Sequence, residues 1–295
     1  MITLKQIEAV YWVYTLSSFS DAAEKLNTTQ SALSKRVSDI EAVLNLQVFE
    51  TKNRTQLTLS GRELIKDFTE MLSLRQRILN KFTDPKDYSG SFRLGVTEVV
   101  ALSWLPELIS TIKAKYPKIT VESNVDKAKN LWRKMDSQLL DIIIVPHLGE
   151  VNESLVCNYL CTVDCDWMIS KDLLPVGSPF KLAEIFSYPL LMHSEDSILY
   201  KELQKMLRRY RVEPREKIYC GSLTAMAELA NSNMGLSYLP SNLSASVGRK
   251  TENLRKVDIP MKVAPLKFYA IHRNDDLCSD IVKTIKPIFR DCAGE

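Results

Sequence analysis

Residues 29 to 36 carry Thr29, Gln30, Ser31, Ser34, Lys35 and Arg36 within about two helical turns. Amides and hydroxyls of this kind pair with base edges, and the two cations pair with phosphates. A second cationic group, Lys52 and Arg54, sits among Thr51, Asn53 and Thr55. Further along, Thr97-Glu98-Val99 and Ser222-Leu223-Thr224 place hydroxyls where a strand gives way to a helix, which is where free amides take up ligands. The same short segments are also what simple helix capping looks like. No catalytic set can be assembled locally: His147, His193 and His272 are far apart, and no nucleophile has a base at motif spacing.

The elements that must position the first group are two short helices around a turn. The first runs from Ser20, a capping hydroxyl, through Ala22, Ala23 and Leu26, and Asn27 stops it by accepting a left-handed backbone. Thr29 caps the second helix, whose apolar positions Leu33, Val37, Ile40 and Leu44 recur at three and four. An ordinary helical hairpin with a solvated polar face is the competing reading. Two short strands, 48–50 and 56–58, would then form a hairpin with the cationic tip at 51–55, a wing able to reach DNA backbone or minor groove. A leading helix, 4–16, is expected to pack Leu4, Ile7, Val10, Tyr11 and Tyr14 beneath them.

Thr58 is suited to cap a long helix reaching about Phe82. Leu64, Ile65, Phe68, Met71, Leu72, Ile78 and Leu79 form its apolar stripe, interrupted by Arg75. So wide a stripe needs a partner surface. A second copy of the chain supplies one, with Leu64, Phe68, Met71, Leu72, Ile78 and Leu79 as the seam, and packing on the chain's own domain is the alternative.

Pro, Gly and polar residues at 84–90 mark a boundary. Beyond it strands are expected at 92–96, 119–125, 142–145, 189–192, 217–220, 235–239 and 267–271. Helices alternate with them at 102–116, 128–139, 198–210, 224–231 and 279–292, which argues for parallel sheets covered on both faces. Thr97, Lys127, Ser222 and Thr224 would suit an anion, while Glu98 and Asp126 would oppose one, so the spacing leaves the ligand's charge open. His193 and Ser194, just past a strand, are candidates for the opposite wall.

At 295 residues the chain suits two or three domains, and 45% apolar with 25% charged residues excludes a disordered chain. A net charge of +3 is compatible with nucleic-acid binding when the cations are clustered. The N-terminus has no leader pattern and no apolar run reaches membrane-spanning length, so a cytoplasmic protein is expected. Cys157, Cys161 and Cys165 are four apart, but VCNYLCTVDCDWMI is rich in strand formers. Scattered reduced thiols are the favoured reading, with redox sensing the alternative.

Residues 3–61 resemble the winged helix-turn-helix of the LysR-type transcriptional regulators. The resemblance is carried by AAEKL, TQSALSKRVSDIEAVL, VFE and LTLSG; many members have Pro at Ser31 and Arg at Lys35 and Thr51. SWLPELISTIKAKYP and MAELANSNMGLSYLP resemble landmarks of the same family's effector domain, in which a small hydroxyl residue often stands at Ala128 and Gly at Gln138.

The resemblance implies a winged helix-turn-helix domain over 1–58, with Thr29, Gln30, Ser31, Ser34, Lys35, Arg36, Lys52 and Arg54 on DNA. A linker and dimerisation helix with a hinge would follow over 59–89. An α/β effector domain would occupy 90–295, two-lobed with Rossmann-type lobes like a periplasmic binding protein: lobe I about 90–162 and 267–295, lobe II about 163–266. Its ligand would meet Thr97, Glu98, Val99, Lys127, Ala128, His193, Ser194, Ser222, Leu223 and Thr224. Partners implied are double-stranded operator DNA, a small-molecule effector, a second copy of the chain in a dimer or tetramer, and RNA polymerase. No cofactor and no membrane are implied. The alternative is a cytoplasmic small-molecule-binding protein or an enzyme with an accessory winged-helix domain.

Overall fold

In the computed structural model, which describes all residues except 81–83, 85, 86, 147–153, 175–180, 244–251, 262 and 293–295, Thr3 opens the first helix. Its hydroxyl accepts from the Gln6 amide, and the Gln6 side chain accepts from the Thr3 amide at 2.9 Å, a reciprocal cap on α1 (Leu4–Leu16). The buried face of α1 is Ile7, Ala9, Val10 and Val13. Leu4 and Tyr14, expected on it, are exposed, and Ala9 is buried in the core with Ala22 and Ala23 instead.

Helix α2 (Phe19–Lys25) is capped by Ser18, whose hydroxyl accepts from Asp21, and not by Ser20 as expected. Ser17 adopts a left-handed φ of 49° and ends α1 there, so Ser18 is already extended and Phe19 turns inward against Phe49. Asn27 takes the left-handed backbone expected of it, φ 48°. Thr29 caps α3 (Gln30–Leu44), which buries Leu33, Val37 and Ile40.

The two strands expected in the wing shrink to a single bridge, Phe49 to Leu57. The Glu41 carboxylate of α3 accepts from the amides of Val48 and Phe49, at 2.8 and 3.4 Å, tying that edge to the helix. A Cβ on Gly61 would lie 2.1 Å from the Val48 carbonyl oxygen, so only glycine lets α4 (Leu59–Asn80) start this close to the wing. Thr58 accepts from the Gly61 amide at 2.9 Å, the cap expected at this end.

Ile65 and Phe68 of α4 are buried in the core with α1, α2 and α3, and Leu64 and Leu72 pack partly against it. Phe68 therefore belongs to its own domain's core and is unavailable as a seam residue. Met71, Leu74, Ile78 and Leu79 remain exposed. Arg75 pairs with Glu8 of α1 at 3.1 Å. The expected end of this helix, Phe82, lies outside the described residues.

By its contacts the chain divides into one unit of residues 1–90 and another comprising most of residues 91–295. In the second, two five-stranded sheets have strand orders β2-β1-β3-β10-β4 and β7-β6-β8-β5-β9. The first holds β1 (Gly90–Val96), β2 (Ile119–Val125), β3 (Ile142–Pro146), β4 (Leu155–Val163) and β10 (Leu266–Arg273). The second holds β5 (Cys165–Ser170), β6 (Leu190–His193), β7 (Lys217–Cys220), β8 (Leu236–Pro240) and β9 (Leu254–Val257).

Neither sheet is wholly parallel as expected. β1 and β3 are parallel, but β10 runs antiparallel to both β3 and β4; β6 is parallel to β7 and β8, but β5 is antiparallel to β8 and β9. The reason is connectivity. β5 follows β4 after a single residue, too short a link for a crossover helix, so the chain changes sheets there and later returns as β10.

The expected helix 102–116 breaks at Trp104 into α5 (Glu98–Ser103) and α6 (Leu105–Lys115). Trp104 is buried against Phe268 and Phe289, and Pro106 lies in the first turn of α6, where its missing amide does no harm. α7 (Ala128–Asp136) stops short of Leu139, with Gln138 left-handed at φ 56°. The remaining long helices are α8 (Ile198–Arg209), α9 (Leu223–Asn231) and α10 (Asp276–Ile285).

Candidate functional site

The first two turns of α3 present Gln30, Ser31 and Lys35 to solvent, with Ser34 and Arg36 half-buried beside them. Thr29 is committed to the cap: its hydroxyl accepts from Ala32 at 3.2 Å and lies 3.1 Å from that of Ser31. An exposed helix N-terminus with amide, hydroxyl and cationic side chains suits a phosphate-lined groove. On the wing Lys52 and Arg54 are exposed, and the Arg54 guanidinium stands 5.6 Å from the centre of the Phe19 ring, which holds the wing tip near the start of α2.

Between the two sheets of the second unit lies a cleft of about 350 Å³. Thr97, Glu98 and Val99 after β1, and Lys127 and Ala128 at the start of α7, line one side. His193 at the end of β6 and Ser222 and Leu223 at the start of α9 line the other. These sequence-predicted residues are thus brought together. Ser194 and Thr224 do not line the cleft. The Ser194 amide donates to His193 Nδ1 at 2.9 Å, and Thr224 bonds to Glu98.

Sequence reasoning missed Asp196 and Ser197, which lead into α8, Ile198 and Leu199 in its first turn, and Gly221, Pro146 and Leu266. The available signal was Ser197, whose hydroxyl caps α8 by accepting from Leu199. His147, named in the sequence, lies outside the described residues.

The two capping candidates differ. Ser222 caps α9, accepting from Ala225 at 3.3 Å, whereas Thr97 makes no side-chain cap on α5. Its hydroxyl is buried with no hydrogen-bond partner among the described residues. Glu98 crosses the cleft. Its carboxylate accepts from the Ser222 hydroxyl and the Leu223 amide, each at 2.9 Å, and from the amide and hydroxyl of Thr224 at 3.3 and 3.4 Å. A second crossing joins Lys127 to Asp196 at 3.0 Å, and a third joins Asn242 to Ser103 at 3.0 Å.

Burial holds the His193 imidazole below its ordinary pKa, against the nearby charge of Glu98. With Nδ1 accepting from Ser194, the proton of the neutral ring sits on Nε2. Partial burial opposes ionisation of Asp126, but hydrogen bonds from Lys134, Asn130 and the Lys127 amide outweigh it and keep its carboxyl below the ordinary range.

The thiols do not form a set. Cys157 and Cys161 lie on β4 and Cys165 on β5, in different sheets, and none of the three is in a disulfide. Burial raises the pKa of Cys157, and that of Cys165 well above the usual thiol range, which disfavours reactive thiolates. Among the described residues no group of three His, Cys, Asp or Glu side chains is arranged to hold a metal ion, and no helix is long and apolar enough to cross a membrane.

Two family models match this chain. "Bacterial regulatory helix-turn-helix protein, lysR family" covers residues 4–62 and "LysR substrate binding domain" covers residues 85–287. A probable RuBisCO transcriptional regulator of Cyanidium caldarium is 24% identical over 250 residues, 80% of this chain and 77% of that protein. Among solved structures, a full-length OxyR variant from Pseudomonas aeruginosa superposes with a TM-score of 0.74 at 18% identity, covering 99% of each chain. Full-length CbnR complexed with its target DNA gives 0.67 at 16% identity, covering 99% of this chain and 100% of that one. At these identities the superpositions establish the fold.

Proposed function

The chain belongs to the LysR family of bacterial transcriptional regulators, and from that membership we propose how its parts divide the work. α3 enters the major groove of operator DNA with Gln30, Ser31 and Ser34 toward base edges, while Lys35, Arg36, Lys52 and Arg54 meet phosphates. The exposed residues of α4, Met71, Ile78 and Leu79, join it to a second copy in a dimer or tetramer, with residues 59–89 acting as linker. A small molecule in the cleft of residues 90–295 modulates operator affinity or bending. RNA polymerase is the partner through which regulation is read out, and the cytoplasm is where the protein works.

The observation that carries this reading is one chain holding both an exposed polar first turn on a recognition-type helix and a cleft with a buried, unpartnered hydroxyl. A ligand there acts on DNA only by preferring one lobe or subunit arrangement, since equal affinity for both shifts no population. Typical couplings of about 1 to 3 kcal/mol correspond to several-fold to hundred-fold changes in operator affinity. The test is a gel shift with the DNA flanking the protein's own reading frame, repeated over a metabolite panel preselected by thermal shift. Retarded DNA whose affinity moves with a cleft-binding metabolite supports the reading. No sequence-selective retardation, with or without metabolites, defeats it.

A further inference from the structure

We propose that the cleft takes an uncharged, largely apolar small molecule bearing a hydroxyl or carbonyl group, and that Glu98 selects for it by standing where an anionic ligand's carboxylate would sit. This rests on reading the cleft as the effector site. Helix N-termini of α/β proteins attract anions because their first amides have no partner within the helix. In α9 that demand is already met. The amides of Leu223 and Thr224 and the hydroxyls of Ser222 and Thr224 all donate to Glu98, and the Ala225 amide donates to Ser222. The protein has supplied its own carboxylate.

The rest of the lining repels a second anion. Glu98, Asp126 and Asp196 face the cleft with Lys127, whose ammonium is already 3.0 Å from Asp196. An anion would lose its water and meet a single cation, Lys127, already paired with Asp196 and outnumbered by the carboxylates of Glu98, Asp126 and Asp196, which is a costly transfer.

A cation gains little, because the acidic oxygens are engaged. Asp126 accepts from the Lys127 amide, Asn130 and Lys134, each at 2.8 Å, while Glu98 and Asp196 hold the partners already given. What the cleft leaves unmet is the Thr97 hydroxyl, buried and without a partner among the described residues, and the Nε2–H of neutral His193. A hydroxyl or carbonyl oxygen accepts from His193 directly, and from Thr97 when that side chain turns its covered hydroxyl toward the cleft. The remaining wall is apolar, including Val99, Val125, Pro146, Ile198, Leu199 and Leu266. Since a dry cavity of about 150 Å³ holds benzene, a cleft of about 350 Å³ admits a one-ring molecule with a polar arm.

The experiment uses one ring in three charge states: benzyl alcohol, benzoate and benzylamine, titrated into the full-length protein by calorimetry at neutral pH. The expected result is binding of benzyl alcohol at least about tenfold tighter than either ion, weakened in Thr97→Val. In Glu98→Ala the α9 donors are vacated and benzoate gains at least about tenfold. Should the alanine variant fail to fold, Glu98→Gln removes the charge at nearly constant volume and benzoate should gain in the same direction.

Benzoate binding the unaltered chain as well as the alcohol does, tightest binding by benzylamine, no binding of any of the three, or no benzoate gain in the Glu98 variants would each overturn the inference. Operator affinity measured in the same samples separates this inference from the regulatory reading. Alcohol binding that leaves DNA affinity untouched would defeat the coupling while the ligand class stands.

Discussion

The Leu223 amide donates a 2.9 Å hydrogen bond to the Glu98 carboxylate, so a residue of one sheet's connection caps a helix packed on the other. The charge is half-buried and hydrogen-bonded to four donors, which makes this crossing unlike the exposed Lys127–Asp196 pair. Glu98→Ala is expected to cost about 1 to 3 kcal/mol, the scale for stripping a charged acceptor from buried donors. Lys127→Ala should cost under about 1 kcal/mol, as exposed ion pairs do. Urea midpoints of the two variants check the ranking, and equal losses would show that the two crossings matter alike.

Gln30→Ala should relax sequence preference by about 1 to 3 kcal/mol at one base position, because a base-edge contact discriminates. Arg54→Ala should instead weaken all sequences alike and lower the slope of log affinity against log salt by about one. Titrations of both variants against matched and scrambled operators at several salt concentrations decide the matter. Two unaltered variants would remove α3 and the wing from the DNA surface.

Charges on α4 should have opposite consequences about one to three turns apart. Phe68→Glu places a charge in the core built by α1, α2 and α3 and should unfold the N-terminal unit, at a cost of several kcal/mol. Met71→Glu with Ile78→Glu alters residues about half exposed in the single chain, so the fold should survive while the oligomer dissociates at micromolar concentration. Circular dichroism and sedimentation velocity read the two outcomes separately. An intact oligomer in the double variant would place the subunit contact elsewhere.

Stability should fall as pH drops below about 6.5. His193 and His272 are both held below the ordinary imidazole value, chiefly by burial. His272 Nδ1 lies 2.6 Å from the Arg273 carbonyl and Nε2 lies 3.2 Å from the Asn158 side-chain nitrogen, a pattern the neutral ring satisfies. A depressed folded pKa means that the unfolded chain binds the proton first. The stabilisation is therefore whole above about pH 6.5 and is lost as pH falls through the folded value, by at most about 1.4 kcal/mol per pH unit for each ring. Urea denaturation across this range measures the slope, and His193→Gln should flatten it. The depressed carboxylates Asp126 and Asp280 act in a separate window, their contribution being lost only as pH falls below about 3.9.

Much of the recognition hairpin was legible in the chain because its determinants are local. Asn27 must be left-handed, Thr29 must cap, and Leu33, Val37 and Ile40 must share a face; each follows from neighbours within one or two turns. Ser18 and Ser20 could not be separated that way, since the choice depends on Phe19 turning toward Phe49, thirty residues on. The apolar stripe of α4 was equally plain, yet periodicity does not say what covers it. Only packing assigns Ile65 and Phe68 to the chain's own core and leaves Met71, Leu74, Ile78 and Leu79 outside.

By itself the sequence determined an alternation of strands and helices, the cationic wing and the helix starts that bear hydroxyls. Its patterns extend over a few residues, whereas the cleft is made by pairings across the chain. The tertiary structure decided that β10 returns antiparallel beside β3, and that the turn leading into α8 brings Asp196 against Lys127. It also decided that the Glu98 carboxylate is spent on Ser222, Leu223 and Thr224, more than 120 positions away. A carboxylate's partners are set by which groups the fold places within hydrogen-bonding reach of it, and no local spacing encodes that distance.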